Sequence, residues 1–131
     1  MAGRLEGQTI LVVEDEPLLV LDISRALEAA GASVTSTNTL RHALLLVEHD
    51  GLSGAILDHA FPDGDSSRLC ARLKERRVPF IVYSGFTLDG ECEGAPHLPK
   101  PATDEQVVAA MAELIGVPSS TGREEAHQRA R

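Results

Sequence analysis

Residues 9–17 of the chain are TILVVEDEP, an uncharged run that gives way to three acidic residues and a proline. The first five residues are apolar or β-branched, which predicts a buried β-strand. Pro17 suits the first turn of an α-helix, and the helical spacing of apolar residues after it lasts until Gly31. A buried strand followed at once by a helix is typical of a parallel sheet whose strands are joined by crossover helices.

The same alternation continues along the rest of the chain. Four more strands are predicted, at Ser33–Thr37, Gly54–Leu57, Pro79–Tyr83 and His97–Leu98. Three more helices are predicted, at Leu40–His49, from Ser66 or Ser67 to Arg76, and at Thr103–Ile115, where Thr103 and Gln106 have the spacing of a capping box. Residues 85–96 contain three glycines and few apolar side chains. We therefore predict at most one irregular turn there, in place of a further helix.

The length and composition of the chain limit its organisation. Its 131 residues are enough for one domain with a core and too few for a two-domain enzyme. We predict an N-terminal extension at residues 1–6, a single domain at residues 7–117 and a disordered polar tail at residues 118–131. A tail of this length is too short for a DNA-binding helix-turn-helix unit.

Charge and hydropathy exclude several partners. The chain has 20 acidic against 12 basic side chains, a net charge of -8, and no cluster of Lys and Arg, so we expect no contact with nucleic acid. No apolar stretch approaches the roughly 18 residues of a membrane span, so we expect a cytoplasmic protein that binds no membrane. Cys70 and Cys92 form neither a CxxC pair nor a metal-binding spacing, and we expect two inert thiols.

Acidic side chains follow two of the predicted strands. Glu14 and Asp15 come directly after the first strand and Asp58 after the third. Because the carboxyl ends of parallel strands meet at one edge of the sheet, we expect these carboxylates to converge and to need a compensating cation. Oxygen ligands without His or Cys favour Mg²⁺. With Ser84 and Lys100 at the ends of the fourth and fifth strands, the site could hold a phosphoryl group while one carboxylate attacks it.

Four motifs together resemble the receiver domain of two-component response regulators. They are the strand and acids of residues 10–16, Leu57-Asp58 followed by Pro62-Asp63-Gly64, the pair Ser84-Gly85, and Leu98-Pro99-Lys100-Pro101. The resemblance extends over about residues 7–117. It implies a flavodoxin-like α/β fold: a doubly wound, five-stranded parallel sheet in the order 2-1-3-4-5, here with the fourth helix short or missing.

The resemblance also implies how the acidic residues divide the chemistry. Asp58 would be the phosphoacceptor, which takes a phosphoryl group from a phosphohistidine. Mg²⁺ would be bound by Asp15, by Asp58 and by the backbone carbonyl of Ala60, while Glu14 would contribute through a water molecule. The protein would thus be a phosphoacceptor switch, not an enzyme that turns over an external substrate.

Residues from the last two strands complete the implied mechanism. Lys100 would contact the phosphoryl oxygens, and the Lys100–Pro101 bond would be cis. Ser84 would move to hydrogen-bond the phosphoryl group. Typical receivers have an aromatic residue three positions before the lysine, and this chain has His97, so the role of a switch aromatic is open there.

The expected partner is a histidine kinase or a histidine phosphotransferase, together with a downstream protein. Residues 79–86, PFIVYSGF, resemble the PFxFATGY motif of a stand-alone receiver subgroup commonly paired with HWE or related kinases, although Tyr83 departs from the small residue of that pattern. In the first helix Leu18 and Leu21 fall toward the polar face. They would either dock a kinase or belong to a crowded core. The oligomeric state is left open.

Three functions are compatible with these residues. The leading hypothesis is a single-domain response regulator that signals through protein contacts. The second is an adaptor that keeps the receiver fold and works without phosphorylation. The third is a phosphatase with an aspartyl nucleophile, a class that uses a DxD pair, whereas Asp58 is followed here by His59 and Ala60.

Overall fold

The computed structural model describes residues 3–58, 60–61, 63–84, 92 and 94–116. In that part of the chain the secondary-structure elements are β1 (Thr9–Val13), α1 (Pro17–Ala29), β2 (Ser33–Thr37), α2 (Leu40–Leu46), β3 (Gly54–Leu57), β4 (Ala60–Phe61), β5 (Gly64–Asp65), α3 (Ser67–Glu75), β6 (Phe80–Ser84), β7 (His97–Pro99) and α4 (Asp104–Ile115). Five of the strands form one parallel sheet in the order β2-β1-β3-β6-β7. This confirms the predicted order 2-1-3-4-5, with β6 and β7 as the fourth and fifth strands of the sheet. The numbering is shifted because β4 and β5 form a separate antiparallel hairpin after the third sheet strand.

The three inner strands are covered by helices on both faces. Leu11 and Val13 of β1 pack in the same apolar cluster as residues of α2 and α3. Ile10 and Val12, which point to the other face, pack in a second cluster with residues of α1 and α4. A strand that is buried on both faces needs apolar residues at successive positions and not at alternate ones. The uncharged run at residues 9–13 is therefore explained by its place inside the sheet.

Helix boundaries follow local capping chemistry. The predicted capping box is present at the start of α4, where Thr103 Oγ1 accepts a hydrogen bond from the Gln106 backbone N–H and Gln106 Oε1 accepts one from the Thr103 N–H. That helix ends at Gly116, whose φ of 88° is left-handed. The second helix is shorter than predicted, because α2 ends at Leu46. Ser66 occupies the N-cap position of α3, but its side chain makes no capping hydrogen bond.

The expectation of two inert thiols is wrong, because Cys70 and Cys92 form a disulfide bond. Cys70 lies in α3, and both cysteines are fully buried in the cluster that covers one face of the sheet. Their Cα atoms are 5.3 Å apart although 22 positions separate them in sequence. The pairing was not predictable from spacing, since it depends on how α3 and residue 92 pack against the same face.

The predicted boundaries at the two termini have different outcomes. Leu5, which lies in the predicted N-terminal extension, is fully buried in the cluster formed with α1 and α4, and its N–H donates to the carbonyl of Ala30. This part of the extension packs on the domain. The predicted tail and most of the predicted irregular turn at residues 85–96 lie outside the described residues. No helix in the described part of the chain has both the length and the apolar character needed to cross a membrane.

Candidate functional site

Two neighbouring strands bring the acidic residues together at the carboxyl edge of the sheet. β1 and β3 pair in parallel with Val13 opposite Leu57, so Glu14 and Asp58 follow paired positions. The Asp58 N–H continues the ladder and donates to the Val13 carbonyl at 2.9 Å. One carboxylate oxygen from each of Glu14, Asp15 and Asp58 lies within 4.8 Å of the others. The convergence that the strand order predicts is present.

Glu14 is the most buried of the three carboxylates, with 2% of its surface exposed. Its Oε2 atom accepts a hydrogen bond from the Glu16 N–H, and Oε1 accepts one from Lys100 Nζ. Burial, reinforced by the negative charge of Asp58, raises the pKa of Glu14 from 4.5 to about 7, although Lys100 acts in the opposite direction. The ionised form of Glu14 is therefore disfavoured in the folded protein, mainly because the side chain is buried.

The ammonium group of Lys100 contacts the acidic residues that follow β1 and β3. Its Nζ lies 3.1 Å from Glu14 Oε1 and 3.3 Å from Asp58 Oδ2. Burial by itself would lower the pKa of Lys100, but the hydrogen bond and charge of Glu14, with those of Asp58, outweigh it and raise the pKa above its usual value. Lys100 is thus held as a cation next to Asp58. The following Lys100–Pro101 bond is cis, in agreement with the resemblance.

The donor set fits a hard divalent cation. Three carboxylates converge on the one ammonium that the described residues bring to them, which leaves an excess of negative charge. All three donors are oxygens, and Asp15 is exposed, so water can complete a coordination shell. Oxygen donors of this kind suit hard divalent cations, of which Mg²⁺ is one. Ala60 lies two residues beyond Asp58 at the start of β4, and the role of its carbonyl stays a prediction.

A hydrogen bond connects Ser84 and His97 near the carboxyl end of β6. Ser84 is the last residue of β6, the strand beside β3, and it is fully buried. His97 lies on β7, and its Nε2 atom donates a hydrogen bond to the Ser84 carbonyl oxygen over 2.7 Å. Because a carbonyl can only accept, Nε2 carries the hydrogen. The histidine that stands in place of an aromatic residue is thus bound to the backbone of Ser84.

Two of the acids near the strand ends have structural roles instead. Glu16 is the N-cap of α1, and its side chain accepts from the Leu18 N–H. Asp63, in the turn of the β4–β5 hairpin, accepts hydrogen bonds from the N–H groups of Leu40 and Arg41 at the start of α2. The Leu40 bond, together with that of Arg41, lowers the pKa of Asp63. Part of the acidic excess therefore stabilises helix N-termini.

Tyr83 belongs to the site, although in the sequence it stands out only as a departure from a motif. It is almost fully buried on β6. Its ring centroid lies 5.4 Å from Lys100 Nζ, and its hydroxyl accepts a hydrogen bond from the Ala102 N–H over 3.0 Å. A tyrosine one position before Ser84 was the available signal, but its contact with Lys100 depends on the packing of β7 beside β6.

Two exposed leucines lie in the first half of α1, the helix that follows Glu14 and Asp15 in the chain. Leu18 and Leu21, in the first turns of α1, have 70% and 43% of their surfaces exposed. This confirms their predicted place on the polar face of the helix and argues against the crowded-core alternative. The buried face is formed by Ile23, Ala26 and Leu27. An apolar surface next to a charged site is a suitable contact for another protein.

Known proteins share this sequence pattern and fold. The sequence model of the response regulator receiver domain matches residues 10–112. The transcriptional regulatory protein TcrA of Mycobacterium tuberculosis is 40% identical over 76 residues, which are 58% of this chain and 30% of the length of TcrA. The chain thus spans less than a third of that relative.

Two solved structures give the comparison in three dimensions. The receiver domain of the sensor histidine kinase PA1611 from Pseudomonas aeruginosa, crystallised with magnesium coordinated in the active-site cleft, has a TM-score of 0.74 and 27% identity over 84% of this chain and 98% of that one. SdrG from Sphingomonas melonis has a TM-score of 0.71 and 34% identity over 82% of this chain and 96% of that one.

Proposed function

The chain belongs to the response regulator receiver domain family, and we propose that Asp58 accepts a phosphoryl group from a phosphohistidine in a Mg²⁺-dependent reaction. One observation carries the proposal. The Asp58 carboxylate, with 14% of its side chain exposed, lies 3.3 Å from the Lys100 ammonium and within the same cluster as Glu14 and Asp15. A nucleophile, a cation for the phosphoryl oxygens and the ligands for a divalent ion are therefore adjacent.

The residues divide the reaction as follows. An oxygen of Asp58 forms a bond to phosphorus while the P–N bond of the phosphohistidine breaks, and the electron pair leaves with the imidazole. Lys100 stabilises the charge on the transferred oxygens, since its raised pKa keeps it an ammonium. Asp15, Asp58 and the carbonyl of Ala60, with Glu14 through a water molecule, would hold Mg²⁺, which when bound supplies further neutralisation of phosphoryl charge. Ser84 supplies a hydroxyl on the adjacent strand.

The partner that fits this chemistry is a histidine kinase or a histidine phosphotransferase. PA1611, whose receiver domain shares the fold, is itself a sensor histidine kinase. The exposed Leu18 and Leu21 of α1, the helix that follows Glu14 and Asp15, offer an apolar surface to such a partner. The product is a modified protein that signals by contact, so the chain works as a phosphoacceptor switch and not as an enzyme with an external product. The HWE type of kinase stays a prediction.

The experiment is phosphorylation by acetyl phosphate, a small-molecule donor that needs no kinase. With Mg²⁺ present, the intact mass of the protein should rise by one phosphoryl group, and EDTA should abolish the increase. Asp58→Asn should not gain the mass. Asp50→Asn is a matched control, because Asp50 is a fully exposed carboxylate that pairs with Arg76 on the surface, and it should react like the wild type.

The same experiment, together with an assay on phosphate monoesters, separates the alternatives. An unmodified wild-type mass at saturating acetyl phosphate and Mg²⁺ would overturn the proposal and favour the adaptor that works without phosphorylation. A steady release of inorganic phosphate from phosphate monoesters would favour the phosphatase. A mass increase that persists in Asp58→Asn would place the modification on another residue and contradict the assignment of the phosphoacceptor.

A further inference from the structure

Tyr83 contacts the Lys100 region at two points. Its ring lies beneath the ammonium, with 5.4 Å between Nζ and the ring centroid. Its hydroxyl oxygen accepts the hydrogen bond of the Ala102 N–H, on the far side of the Lys100–Pro101 peptide bond. One side chain therefore contacts both the charged end of Lys100 and the backbone that carries it.

The ring contact is favourable because of its setting. The face of an aromatic ring carries partial negative charge, and a cation within about 6 Å of the centroid is attracted to it, more strongly when water is excluded. Tyr83 is 3% exposed, and the Lys100 side chain is 26% exposed.

The carboxylates that contact Lys100 are also the groups that would bind a metal ion. Its Nζ binds Glu14 and Asp58, and these carboxylates belong to the cluster that suits a divalent cation. A metal ion that neutralises those carboxylates weakens their hold on the ammonium. The ring of Tyr83 has no net charge and takes no part in the cluster, so its attraction for Lys100 is retained when the carboxylates are engaged.

We propose that Tyr83 is a positioning residue that keeps Lys100 directed at the phosphoryl group during transfer to Asp58. The inference deepens the proposed function and rests on it. It concerns a residue at which this chain departs from the small residue of the PFxFATGY pattern. The competing explanation is that Tyr83 only fills the core, since it also packs in the cluster with Ile81 and Val12.

The two explanations differ in how Tyr83 depends on Lys100. If Tyr83 acts through the lysine, Tyr83→Leu should lower the rate of phosphorylation by acetyl phosphate about fivefold, as expected for the loss of one partly buried cation–π contact. The same substitution made in Lys100→Met protein should change the rate little, because the group it positions is gone. If Tyr83 only fills the core, both backgrounds should lose the same factor.

Three further measurements keep the test independent of folding. Tyr83→Phe retains the ring and the core packing but lacks the acceptor for the Ala102 N–H, so its rate should lie between those of the wild type and Tyr83→Leu. Ile81→Val, on the same strand and in the same cluster, controls for a general loss of packing. The ring-current shifts of the Lys100 side-chain protons in NMR spectra should persist in Tyr83→Phe and vanish in Tyr83→Leu.

Each outcome has a definite meaning. A wild-type rate in folded Tyr83→Leu, equal losses in both Lys100 backgrounds, or wild-type Lys100 protons without a ring-current shift would overturn the inference and leave the proposed function intact. Failure of the wild type to gain a phosphoryl group would overturn the proposed function, and this inference with it. Mg²⁺ affinity should be the same in Tyr83→Leu and the wild type, since the carboxylate ligands are unchanged.

Discussion

Replacing Glu14 by Gln should make the stability of the protein less dependent on pH when no divalent cation is present. In the folded chain, burial and the charge of Asp58 raise the pKa of Glu14 from its usual 4.5 to about 7. A raised pKa means that the folded state binds the proton more tightly than the unfolded state. The stability that this proton contributes is fully present below pH 4.5 and is lost as the pH rises through 7.

The size of the effect follows from the two pKa values. They differ by about 2.5, and each pKa unit corresponds to roughly 1.4 kcal/mol, so ionising Glu14 costs about 3 to 4 kcal/mol more in the folded than in the unfolded protein. Between about pH 5 and about pH 8, the free energy of unfolding of the wild type should fall by about 2 to 3 kcal/mol relative to Glu14→Gln. Saturating Mg²⁺ should remove most of that difference, because the cation favours the ionised carboxylate.

Urea unfolding in EDTA, followed by circular dichroism at the two pH values, measures this difference directly. Comparison with Glu14→Gln cancels the pH response of the other titrating groups. Glu48→Gln is the control, because hydrogen bonding to Arg72 lowers the pKa of Glu48, so Glu48 is ionised at both pH values and its replacement should leave the difference in stability between them unchanged. If the wild type and Glu14→Gln keep the same stability difference at both pH values, then Glu14 is not the strained carboxylate of the site.

Three other predictions concern the disulfide, the exposed leucines and a helix cap. Reduction of the Cys70–Cys92 bond should add two hydrogen masses and lower the free energy of unfolding by about 3 kcal/mol, because the unfolded chain regains the entropy that closing a loop of this length removes. An unchanged urea midpoint would contradict this. Leu18→Glu should slow transfer from a histidine kinase that phosphorylates the wild type, but should leave phosphorylation by acetyl phosphate unchanged. Leu45, which is exposed on α2, gives the control, since Leu45→Glu should affect neither reaction. Equal loss with both donors in Leu18→Glu would refute a docking role. Thr103→Ala should cost about 1 kcal/mol in urea unfolding through loss of the capping box, and Thr103→Ser should restore it; equal stability of the two variants would show that the cap is dispensable.

The large elements were predictable because their signals are local. Gly54–Leu57 agrees with the prediction at both ends, since an uninterrupted apolar run matches a strand covered on both faces. The capping box of Thr103 and Gln106 lies within one helical turn. The β4–β5 hairpin was missed, because strands of two residues show no periodicity and the Pro, Asp and Gly of residues 61–65 indicate only a turn.

The candidate site was predictable only in part. Asp58, Glu14 and Asp15 could be assigned to one edge because each follows a strand, and parallel strands end together. Acidic residues in the neighbouring loops cannot be distinguished from these by sequence, but their side chains bind other groups. Asp63 caps a helix whose first residue, Leu40, lies 23 positions earlier in the chain.

Strand periodicity, helix caps and the chemistry of the strand ends depend on residues a few positions apart. The parallel sheet and its acidic edge therefore follow from the amino-acid sequence. The partners of remote residues do not. The disulfide between Cys70 and Cys92 and the contact of Tyr83 with Lys100 join separate elements, and no spacing rule predicts them. They form because helices and strands of particular size pack at particular distances, a property of the assembled core and not of any local run of residues.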